Sequence, residues 1–79
     1  TLRKEYKKLL NTLEFSDSKN TAYLVTRYAF IFKDDTPEHV LSFIKLSEKL
    51  QEYKYKKNVN AFNKDTLVCI EEYKSLVNA

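Results

Sequence analysis

Residues 21–32 read Thr-Ala-Tyr-Leu-Val-Thr-Arg-Tyr-Ala-Phe-Ile-Phe, and the fold turns on whether this stretch is a strand or a helix. Only Thr21, Thr26 and Arg27 are polar. The β-branched and aromatic content suits a buried strand. Three observations weigh against one. The stretch is about twice the usual strand length of roughly five or six residues. No hairpin turn with a partner strand follows it. The flanking segments both carry helical periodicity. The stretch is therefore assigned to a central buried helix. Being apolar nearly all round, such a helix needs neighbours on every side.

Upstream, Leu2, Tyr6, Leu9 and Leu13 recur at i, i+4, i+7 and i+11, with Leu10 beside them. That is one apolar stripe of a helix over 2–14. Arg3, Lys4, Lys7 and Lys8 cover its other side. Ser16-Asp17-Ser18-Lys19-Asn20 then breaks the pattern with residues that favour turns and caps.

Downstream, Thr36-Pro37-Glu38 is the clearest helix start. Thr36 can cap, Pro37 suits the first helical position, and Glu38 faces the positive end of the dipole. The helix predicted over 37–55 places Val40, Phe43, Ile44, Leu46 and Leu50 on its apolar side. Asn58-Val59-Asn60 breaks it. A last helix over 64–78 has Asn63 as its cap. Phe62 precedes that cap and Leu67 sits at the fourth helical position, the spacing of a hydrophobic staple. Its other apolar positions are Cys69, Ile70, Tyr73, Leu76 and Val77. The expected fold is all-α, a small antiparallel bundle of about four helices at 2–14, 20–32, 37–55 and 64–78.

Composition points the same way. The chain has 79 residues and no glycine. At ordinary usage, chance would leave a chain this long without glycine roughly 0.3% of the time. Tight hairpins, bulges and left-handed caps normally use glycine. Walker loops, dinucleotide fingerprints and nucleophile elbows require it. Apolar residues make up 43% and charged residues 32%, ordinary for one folded domain. Cys69 is the only cysteine, so no internal disulfide can form. Together with the absence of a signal peptide, this predicts an intracellular chain. No apolar run approaches a membrane span. The start at Thr1 predicts a single helical domain, 1–79, cut from a longer protein.

Little here could carry chemistry. The one histidine, His39, is expected to be exposed in the first turn of the third helix, without a role. Cys69, at helical spacing with Ile70 and Tyr73, reads as core packing. Asp34-Asp35 reads as dipole compensation, and Glu71 and Glu72 point in different directions on a helix. One His and one Cys are too few for a zinc site. The sequence predicts no enzyme, no metal and no cofactor.

Two features suggest binding. In Tyr53-Lys54-Tyr55-Lys56-Lys57 aromatic and basic residues interleave. In Arg3, Lys4, Lys7 and Lys8 the first two cations lie where a helix dipole disfavours them. Eleven aromatic residues, six Tyr and five Phe, are generous for a domain this small. The leading expectation is a non-catalytic interaction module that takes a partner peptide or helix in an aromatic-lined groove, with lysines at its rim. The alternative is nucleic-acid binding through the Lys54–Lys57 and Arg3–Lys8 clusters. A toxin- or bacteriocin-neutralising helical protein also fits the size and class.

Overall fold

The computed structural model describes residues 1–55 and 61–79. It contains four helices: α1 (Leu2–Asn11), α2 (Ser18–Phe30), α3 (Pro37–Tyr55) and α4 (Lys64–Asn78). The ambiguous stretch is helical. It starts two residues earlier and ends two residues earlier than its apolar run implied, and α1 stops three residues short of the predicted end.

Local chemistry explains the boundaries. Each helix begins on a side chain that accepts an orphan backbone N–H. Thr1 accepts from Lys4, Asp17 from Asn20, Thr36 from His39 and Asn63 from Thr66, the last at 2.8 Å. Asp17 in that role draws Ser18 and Lys19 into α2.

The helix ends show what a chain without glycine does instead. No described residue has a positive φ. At the described ends of α1, α2 and α4 no left-handed cap is used; these ends tighten by one turn of shorter i→i−3 bonds. Thr12 N–H donates to Leu9, Phe32 to Ala29, Lys33 to Phe30 and Ala79 to Leu76, at 3.1–3.3 Å. Arg3 supplies a further donor, its guanidinium reaching the Ile31 carbonyl at 3.2 Å.

Sequential helices pack antiparallel. Tyr6 meets Tyr28 across α1 and α2, Phe30 meets Phe43 across α2 and α3, and His39 meets Tyr73 across α3 and α4. The non-sequential pair differs. Asn11 and Asn78 exchange two side-chain hydrogen bonds at 2.8 and 2.9 Å. The C-terminal ends of α1 and α4 therefore meet, where an ideal up-down bundle would hold them at opposite ends.

The core comprises Leu10, Ala22, Val25, Ala29, Leu46, Leu50, Cys69, Ile70 and Tyr73, closed at one end by Tyr53 and Phe62 and at the other by Phe32 and Val77. Cys69 packs as the sequence predicts. On α1 the stripe is rotated: Leu10 is the fully buried residue, Tyr6 and Leu13 flank it, and Leu2 and Leu9 face outward. On α2 the expected all-round burial does not occur. Ala22, Val25 and Ala29 face inward, and Tyr23 and Phe30 are exposed. Three other helices cannot surround a fourth in a chain this short. The staple also changes partners. Leu67 is exposed, and Phe62 instead lies edge-on to Tyr53 at 4.7 Å and to Phe15 at 5.9 Å.

His39 is the largest correction. It is buried, its ring meeting Tyr73 at 6.0 Å in a T-shaped pair, with Nδ1 2.7 Å from the Thr36 hydroxyl. It occupies the first position of the stripe His39, Phe43, Leu46, Leu50 and Tyr53, which follows the i, i+4, i+7, i+11, i+14 rule.

Candidate docking surface

That inward stripe uses one side of α3. The opposite side is also apolar. Pro37, Leu41 and Ile44 follow i, i+4, i+7 and continue through Glu48, Gln51 and Tyr55, all outside the core. Leu41 is 70% exposed and Ile44 51%, with Val40 between the two stripes and also exposed. Val40 and Ile44, expected in the core, face outward because His39 and Phe43 hold the inward positions.

Phe30 is a further exposed aromatic residue, on α2. It is 59% exposed, its edge 6.2 Å from Phe43. Lys33 lies over its other side, 4.9 Å from the ring, and pairs with Asp34 at 2.7 Å. A shallow depression at the start of α3 is walled by Pro37, Val40 and Leu41 and rimmed by Asp34 and Asp35. The surface therefore has an apolar floor, a rim where Asp34 and Asp35 pair with Lys33 and Arg3, and Glu48 one turn beyond Ile44.

Of the sequence-predicted basic residues, Arg3 stands at this rim. Arg3 pairs with Asp35 and lies over Phe32, so it ties α1 to the α2–α3 connection. This accounts for a cation at a dipole position that disfavours it. Asp35 thereby serves the pairing with Arg3 as well as the start of α3. Lys4 and Lys8 are exposed and Lys7 is half-buried. At the other end, Tyr53 is buried and its hydroxyl accepts from the Asn63 N–H at 2.9 Å, fixing the start of α4. Lys54 stacks over Tyr23 at 5.7 Å, and Tyr23 donates to the Lys54 carbonyl at 3.2 Å. Burial pushes the Lys54 ammonium below the usual lysine range. Tyr55 is exposed. Lys56 and Lys57 lie outside the described residues. Lys54 stands about 26 Å along α3 from Pro37, near which Arg3 is held, so these two cations occupy opposite ends of the bundle.

Glu38 completes the electrostatics of the start of α3. A hydrogen bond to its own backbone N–H lowers its carboxyl below the usual range, helped by Thr36 and nearby His39. Its charge thus favours the fold above the ordinary carboxylate range, and that contribution fades as pH falls through its folded value. Among the described residues, no three His, Cys, Asp or Glu side chains are grouped to hold a metal ion. No helix is long and apolar enough to cross a membrane among the residues described.

Searches for related proteins find no matching family model, no matching curated protein and no matching solved structure.

The outward stripe of α3 was present in the sequence as Pro37, Leu41 and Ile44, with Val40 beside it. What hid it was the habit of assigning every apolar residue inward. A count of two apolar stripes on one helix is the signal that would have found it.

Proposed function

We propose that the chain is a non-catalytic protein-interaction module whose binding face is the outward stripe of α3 together with Phe30. The observation that carries this reading is the exposure of Val40, Leu41 and Ile44 on one side of α3, with Phe30 also exposed on the adjacent helix. Scattered surface leucines need no explanation, but contiguous apolar patches on small proteins mark interaction sites. The groove expected from aromatic content becomes a more aliphatic surface, with the Arg3–Asp35 and Lys33–Asp34 pairs at its rim.

Magnitudes limit what this face can do alone. Fully burying one such side chain is worth about 1.5–3 kcal/mol. Covering four that are roughly half exposed contributes about 4 kcal/mol. Association costs at least that much in lost translational and rotational freedom. A partner must therefore add polar or charged contacts around the rim.

The protein-docking reading is preferred to nucleic-acid binding on the placement of the cations. Arg3 is paired with Asp35, and Lys54 is at the other end of the molecule. A phosphate backbone is best met by cations on one continuous face.

A photo-reactive phenylalanine analogue in place of Leu41, introduced in the native cell, is the test. It is expected to give a discrete heavier adduct, lost on adding Ile44→Glu. The same analogue in place of Ser75, exposed on α4, is expected to give none. Equal labelling from both positions, or a nucleic-acid adduct in place of a protein one, would sink this reading.

A further inference from the structure

We infer that α1 is a detachable helix: it opens as a unit while α2, α3 and α4 stay folded, and Arg3 is its latch. The inference does not depend on the docking reading above. Three observations support it.

The first is burial. α1 is the shortest helix, 10 residues against 13, 19 and 15. Leu10 is its one buried residue, whereas each of the others buries four or five. Tyr6 is only partly buried against the core. The elements of a fold with the fewest buried apolar contacts open first, at a lower cost than global unfolding.

The second is intrinsic helicity. Isolated helices shorter than about 12–15 residues are marginal in water. Arg3 and Lys4 stand in the first turn, against the dipole, and Lys4 and Lys8 repel at i, i+4. Glu5 in the first turn and Lys8 in the last offset part of this. The helix therefore depends on its seat, and leaving the seat and losing the helix are one event.

The third is how α1 is held. At one end Arg3 pairs with Asp35, donates to the Ile31 carbonyl at 3.2 Å and lies 4.8 Å over the Phe32 ring. At the other end Asn11 and Asn78 exchange two hydrogen bonds. Between them Tyr6 meets Tyr28 and Leu10 enters the core. Arg3 and Asn11 are both exposed. One apolar anchor is thus flanked by two polar ties at the surface. Arg3 makes three contacts with a single side chain, so its loss weakens the seat most. Opening withdraws Leu10 from the core and bares the sides of α2 and α4 that α1 covers. The chain therefore holds an apolar surface that appears only when α1 is released.

Amide hydrogen exchange of the 79-residue chain, read residue by residue by nuclear magnetic resonance, tests the inference. Amides 6–11 are expected to share one opening constant, at least roughly 100-fold larger than that of Leu46, Leu50 and Ile70. Arg3→Gln should raise it roughly tenfold, the joint weight of an exposed ion pair, a hydrogen bond and a cation–ring contact. Tyr73→Phe removes a tie between α4 and α2 that persists when α1 opens. It should speed exchange at Leu46, Leu50 and Ile70 about fivefold and leave amides 6–11 unchanged. Equal exchange of the two sets in the parent chain, or equal acceleration of both by Tyr73→Phe, would show that α1 leaves only when the whole chain unfolds and would overturn the inference. A change below about twofold in amides 6–11 of Arg3→Gln would overturn Arg3 as the latch.

Discussion

Tyr73→Ala is expected to lower the free energy of unfolding by about 3–5 kcal/mol, the range for removing a buried aromatic ring. A domain of this size has roughly 4–12 kcal/mol in total. The variant should therefore lose between about a quarter and all of its stability. Tyr73 is 1% exposed and ties α4 to two other helices, α2 and α3. It meets His39 edge-on at 6.0 Å and Phe43 at a tilt at 5.9 Å, and its hydroxyl donates to the Ala29 carbonyl at 2.7 Å. Urea denaturation followed by circular dichroism measures the loss. Tyr73→Phe separates ring from hydroxyl. It should cost only about 1 kcal/mol, because the Ala29 carbonyl still accepts from Phe32 N–H.

The same residue sets a pH limit. Burial, with Asp35 and Asp34 nearby, pushes the Tyr73 phenol far above its ordinary value of 10.0. A group whose folded value is raised favours the fold below its unfolded value. That contribution is lost as pH rises through the folded one. Spectrophotometric titration of the tyrosines should show one that ionises only as the chain unfolds in alkali.

Phe62→Ala is the second large effect, about 3 kcal/mol, at the lower end for a buried phenylalanine. Phe62 lies edge-on to Tyr53 and Phe15, so one ring joins the end of α3, the α1–α2 connection and the approach to α4. Its removal leaves a cavity at the edge of the core, where neighbours can partly collapse. Amide exchange should accelerate first in the opening turn of α4, around Asn63 and Thr66, where Tyr53 holds the Asn63 N–H. An effect below about 1 kcal/mol would mean that the aromatic cluster does not act as a unit.

Legibility from sequence followed the range of the interactions. Thr36-Pro37 and Asn63 were readable as helix starts because a cap acts over three residues. The all-α class was readable from missing glycine and periodicity together. His39 was misplaced because its polarity was weighed above its position, although it is in register with Phe43, Leu46, Leu50 and Tyr53. Val40 and Ile44 were misassigned for the converse reason. An apolar residue on a helix with two apolar stripes is not placed by identity; only the packing of α2 and α4 decides which stripe is inside. Arg3 and Asp35 are 32 positions apart, and no local pattern links them. The basic clusters thus looked like a binding surface, although Arg3 and Tyr53 each hold the fold together.

The central claim is that α3 uses one stripe for the fold and leaves the other for a partner. Denaturation of the double variant Leu41→Ser with Ile44→Ser tests it most directly, because it needs no partner. Removing exposed apolar side chains should leave the unfolding free energy within about 0.5 kcal/mol of the parent chain. A loss of about 2 kcal/mol or more, of the size seen for core leucines and isoleucines, would show that this stripe is packed within the fold and would contradict the account.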